Sequence, residues 1–144
     1  MKIAKKIFYI LITILQVCML IGAYMVNYFT QNKMGMLRHV VHKNYIWENT
    51  YPIETIKYTV IISLIVLMIG VLILYLKRKS NLNKLVTVMT IVMVICVLSF
   101  TGFTLIYSAE EMRAFYYVSA ILCIMTLVQI IKTFIGIIWF KKEK

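Results

Sequence analysis

Four apolar runs, Ile7 to Phe29, Tyr58 to Leu76, Leu85 to Tyr107 and Phe115 to Phe140, constrain this 144-residue chain more than any other feature. Each supplies the roughly 20 residues that a helix needs to cross about 30 Å of hydrocarbon. Lipid offers no water to backbone amides, so each run must satisfy its hydrogen bonds within itself as a helix. A β-barrel would show alternating polarity, which these runs lack. The predicted fold is an all-α integral membrane protein: a four-helix antiparallel transmembrane bundle, in a single domain over residues 1–144, with a short amphipathic helix in its outer loop.

Lys2, Lys5 and Lys6 precede the first run as they would the core of a signal peptide. That run is too long for one and has no small-x-small cleavage pattern, so it is expected to be retained. Basic residues punctuate the apolar runs and thereby predict orientation. One side carries ten: Lys2, Lys5, Lys6, Lys77, Arg78, Lys79, Lys84, Lys141, Lys142 and Lys144. The other carries five, Lys33, Arg38, Lys43, Lys57 and Arg113, together with Glu48, Glu54, Glu110 and Glu111. Lys/Arg-rich loops stay cytoplasmic, so both termini are expected inside a cell membrane and residues 30–57 outside. The net charge of +11 is spread between spans rather than gathered on a polar surface. The lipid bilayer is therefore the expected partner, and nucleic acid is not.

Residues 38–54, RHVVHKNYIWENTYPIE, collect both histidines, the single proline and two of the five carboxylates. A helical wheel over Lys33 to Trp47 puts Met34, Leu37, Val41 and Tyr45 on one face, flanked by Met36, Val40 and Trp47. Arg38, His39, His42 and Lys43 share the opposite arc. This is the layout of a helix lying in the membrane interface. Pro52 ends it, because the residue before a proline is pushed out of helical geometry.

The alternative is chemical. At i and i+3, His39 and His42 face one side of a helix, where Glu48, Glu54, Glu110 or Glu111 would complete a metal site or an acid–base pair with Arg38 as electrophile. The spacing matches no zinc pattern, so neither metal nor cofactor is expected. Cys18, Cys96 and Cys123 lie in separate spans with no Cys-x-x-Cys pair, which removes thiol exchange and leaves them as packing residues.

Within the spans, small and polar residues recur: Thr13, Gln16 and Asn27; Ser63 and Gly70; Thr87, Thr90, Thr101, Thr104 and Ser108; Ser119, Cys123, Thr126, Gln129, Thr133 and Gly136. Such stripes let helices approach, and they are expected to line the bundle interior or a partner interface. Lys132 is the one cation within a span. Because the fourth run is longer than the membrane needs, the inner boundary can fall near Lys132 and make it an anchor. Otherwise it is a buried lysine paired with Gln16 or a lipid phosphate.

Several function classes lack their parts. Proton-coupled export by small four-helix transporters needs an intramembrane carboxylate, yet the chain has no aspartate and every glutamate lies in a loop or tail. There is no phosphate-binding glycine loop, nor rings of charge along a pore. Two expectations remain. One is a non-catalytic accessory subunit that packs on itself, as a homo-oligomer, or on a larger membrane complex. The other is an enzyme or ligand-binding protein using the Arg38, His39, His42 and Glu48 cluster.

Overall fold

The computed structural model describes residues 2–107 and 113–140. It is all-helical, with α1 (Lys2–Asn32), α2 (Met34–Thr50), α3 (Ile53–Arg78), α4 (Lys84–Ile106) and α5 (Phe115–Trp139), and a 3-10 turn at Lys79–Asn81. The long apolar helices α1, α3, α4 and α5 are those of a four-helix transmembrane bundle, and α2 is the shorter fifth helix.

Helices α1 and α3 extend beyond both limits of their apolar runs, whereas α4 and α5 match theirs to within a residue. With 31 residues, α1 is about 46 Å long at 1.5 Å per residue, well over the hydrocarbon thickness. Segment 30–57, expected as an outer loop carrying a short helix, is helical almost throughout, because Lys33 alone separates α1 from α2. Apolar counting marks where lipid ends, whereas the backbone ladder continues until something breaks it. At Lys33 the break is a single extended residue (φ −111°, ψ 111°). Its amide still bonds Phe29 O, and its carbonyl accepts from Leu37 N. Before Pro52 the expected stop occurs: Tyr51 is extended (φ −124°, ψ 147°) and closes α2 through Trp47 O. Pro52 leads directly into α3, whose first turn carries Glu54 and whose last carries Lys77 and Arg78, each charge complementing the helix dipole.

Buried rows on the spans follow a spacing of alternately three and four. On α4 the row is Val86, Thr90, Met93, Val97, Phe100 and Thr104, and on α3 it is Ile61, Leu64, half-buried Met68, Val71 and Tyr75. On α1 the fully buried positions, Tyr9, Gln16, Ala23 and Thr30, fall seven apart. Lys5, Ile12, Met19 and Val26 are half-buried between them. A repeat of 3.5 is that of a left-handed helix seam. Hydrophobicity does not select these rows, since lipid and interior are equally apolar. On α1, α4 and α5 the inward rows nonetheless include small or polar residues: Gln16, Ala23 and Thr30, then Thr90 and Thr104, then Thr126, Gln129, Thr133 and Gly136.

Helix α3 departs from that expectation, because Ser63 and Gly70 are exposed and its inner row is large and apolar apart from the Tyr75 hydroxyl. The hydroxyl of a serine or threonine need not face inward when its own helix can accept it. Thr13 bonds Tyr9 O at 2.8 Å and Thr59 bonds Thr55 O at 2.8 Å from exposed positions.

Two compact units divide the chain: Met1–Ile53 with Phe103–Met125, and Glu54–Gly102 with Thr126–Lys144. In the first, Ala23, Ala114 and Val118 form a core joined by Val26, Phe103, Ile121 and Leu122, and Phe103 stacks on Phe115 with centroids 5.6 Å apart. In the second, Tyr75 Oη and Thr87 Oγ1 share a hydrogen bond of 3.0 Å between α3 and α4.

Candidate functional site

The first unit places the outer segment. Helix α2 packs through Val40 and Asn44, with Met36, Leu37, Lys43 and Trp47 half-buried beside them. The expected interfacial face leaves Met34, Val41 and Tyr45 exposed, as a face turned to a membrane surface would be, and the side packed on protein is a different one. That packed side is set by specific contacts. Asn44 Nδ2 donates to Arg113 O at 2.7 Å. Trp47 lies 5.3 Å from the ring of Tyr117 and 6.2 Å from that of Tyr116, the latter pair edge to face. Tyr116 Oη donates to Glu48 Oε1 at 2.8 Å. All these partners stand at the start of α5, so α2 is held down on that helix terminus.

Of the candidate cluster, Arg38, His39 and His42 are exposed on α2. Glu48 is engaged by Tyr116, and Glu54 is exposed in the first turn of α3, which belongs to the second unit. Glu110 and Glu111 lie outside the described residues. Among the described residues no three His, Cys, Asp or Glu side chains come together around a possible metal position. Within the first unit the structure unites α2 with Arg113, Tyr116 and Tyr117. A sequence signal for that docking did exist in the adjacent Tyr116-Tyr117 pair at a span entrance, where amphipathic aromatics concentrate.

Asn44 is 7% exposed, and its Oδ1 has no hydrogen-bond partner. Its net contribution is therefore the one bond to Arg113 O less the cost of a buried, unmatched acceptor. Asn44→Ala is expected to weaken α2 docking by about 1 kcal/mol. Amide hydrogen exchange over residues 34–50 should then accelerate by about fivefold; unchanged exchange there would show that the amide contributes nothing to holding α2.

The second unit contains a buried polar layer. Gln129 Nε2 donates to Met89 O at 3.2 Å. Thr133 Oγ1 lies 2.9 Å from Gln129 O and 3.4 Å from Met89 O. Bonds of this kind join helices in lipid at about 0.6 to 2 kcal/mol each. Lys132 is 7% exposed, with Cys96 of α4 near enough for electrostatic interaction. The surface anchor allowed by the length of the span gives way to burial. Two features oppose snorkelling: α5 continues to Trp139 beyond Lys132, and side chains lean toward their helix N-terminus. Gln16 is buried on α1, in the first unit. The chain matches no protein-family model, no curated protein and no solved structure.

Proposed function

We propose that the protein is a non-catalytic accessory subunit of the cell membrane. It forms one four-span domain, keeps both termini in the cytoplasm with α2 outside, and docks on another membrane protein or a second copy through α1. The carrying observation is the uneven coverage of the spans: 11% of the α1 window is buried, against 44% of the α5 window. Helices associate in lipid through close packing rather than hydrophobic expulsion. Several polar groups elsewhere bond within the chain: Gln129 and Thr133 to Met89 O, Asn44 Nδ2 to Arg113 O, and Glu48 to Tyr116. That leaves α1, with Ile14, Leu15 and Ile21 exposed, as the span with most surface to share.

A photo-reactive residue at Ile14 is expected to give a discrete adduct, either at twice the chain mass or with one larger membrane protein. The same residue at buried Met93 should give none. Adducts with lipid alone from Ile14 would rule out docking through α1. The competing outer-cluster function predicts that His39→Ala, His42→Ala and Glu48→Ala together remove a bound ligand or an activity; the accessory role predicts that the Ile14 adduct persists in that variant. For orientation, a cysteine at position 39 should react with an impermeant reagent on intact cells and one at position 80 only after permeabilisation. The reverse pattern would invert the assignment.

A further inference from the structure

Within the second unit, α3 and α5 frame an open groove of about 490 Å³ lined by Leu67, Gly70 and Leu74 on one side and Leu127, Ile131 and Phe134 on the other. Its walls are almost wholly apolar. The groove is open beside Gly70, where an added Cβ would meet no protein atom within 4 Å. Together with Val66 and Val71, the α3 wall extends over residues 66–74, about 12 Å along the axis. That is close to the depth of one hydrocarbon leaflet, about 15 Å.

The wall does not stop at Leu74. Lys77 and Arg78 follow at i+3 and i+4, on the same helix face one turn further along, and both are exposed. An apolar slot one leaflet deep that leads into two cations is complementary to a lipid with a negatively charged head. It is not complementary to a neutral helix, whose apolar surface gains nothing from Lys77 and Arg78. Basic clusters at the cytoplasmic ends of spans are suited to anionic headgroups.

We propose that this groove is a binding site for an anionic phospholipid, one acyl chain lying between α3 and α5 with the phosphate held by Lys77 and Arg78. It is independent of docking through α1, whose Ile14 adduct would persist if this site failed.

The test uses Trp139, at the same end of α5 and exposed, as reporter. In a Trp47→Phe background it is the sole tryptophan, because the chain has two. The full chain is reconstituted in phosphatidylcholine bilayers containing acyl-brominated phosphatidylglycerol or acyl-brominated phosphatidylcholine at equal mole fraction. Brominated phosphatidylglycerol is expected to quench at an effective concentration about fivefold lower, or less. Gly70→Leu, which projects a side chain from the open wall into the groove, should remove this preference. Lys77→Gln with Arg78→Gln should remove it while leaving quenching by brominated phosphatidylcholine. Equal quenching by the two lipids, or a preference that survives both variants, overturns the proposal. So does protection from both lipids combined with protein adducts from a photo-reactive residue at Leu74, which would place a partner helix in the groove.

Discussion

Replacing Met93 with alanine is expected to lower the unfolding free energy by about 2–5 kcal/mol, the range for deleting a fully buried long apolar side chain. Met93 stands in the middle of the α4 row and has no exposed surface. In lipid the loss is chiefly one of dispersion contacts, since transferring methylenes from protein interior to acyl chains changes little else. The neighbouring substitution Ile95→Ala removes a comparable volume from an exposed position. It is expected to cost no more than about 0.5 kcal/mol, as substitutions away from packed sites do. Reversible unfolding of the detergent-solubilised chain, followed by helix content for both variants, measures the difference. Equal losses at the two positions would mean that the row through Val86, Thr90, Met93 and Val97 is not the packed side of α4.

Lys132→Met should act in the opposite direction, raising stability by about 1–3 kcal/mol. A lysine in the hydrocarbon costs about 2.5–3.5 kcal/mol near a span centre on insertion scales. The expected gain follows if that desolvation outweighs what its partners, Cys96 on α4 among them, return. Methionine keeps the unbranched length of the stem and discards the charge, so the surrounding packing is preserved. The same unfolding measurement applies. A destabilised Lys132→Met protein would show that interactions of the ammonium outweigh its desolvation, and that the charge is a structural element of the layer.

These two positions also illustrate what can be read from the letters. The four spans were legible because the bilayer imposes a length that runs such as Leu85 to Tyr107 meet without interruption. The α5 stripe was legible as well: Thr126, Gln129, Thr133 and Gly136 are all buried, and a polar residue in an apolar solvent identifies the inner face. On α3 the rule had little to act on, and the inner row Ile61, Leu64, Val71 and Tyr75 was decided by shape. On α2 the wheel marked Met34, Val41 and Tyr45 as a face for the membrane interface, and they are exposed; it gave no sign of the side that packs on protein, where Asn44 bonds a carbonyl 69 residues away. No local periodicity encodes such a partner. For the histidine–carboxylate cluster, adjacency in sequence put His39, His42 and Glu48 on one helix, which the structure keeps, while local sequence says nothing about which other elements face them.

The seven-residue spacing of Tyr9, Gln16, Ala23 and Thr30 also limits how α1 can move. Sliding the helix until this row came back into phase would take one full heptad, about 10.5 Å. That step would seat a glutamine where a tyrosine belongs, a threonine where an alanine belongs, and drag a third of the membrane's apolar depth into water. A shift of α1 along its axis is thereby opposed by the four unlike side chains in the row, and Lys33, a single extended residue, joins this helix to the one held by Asn44 and Trp47.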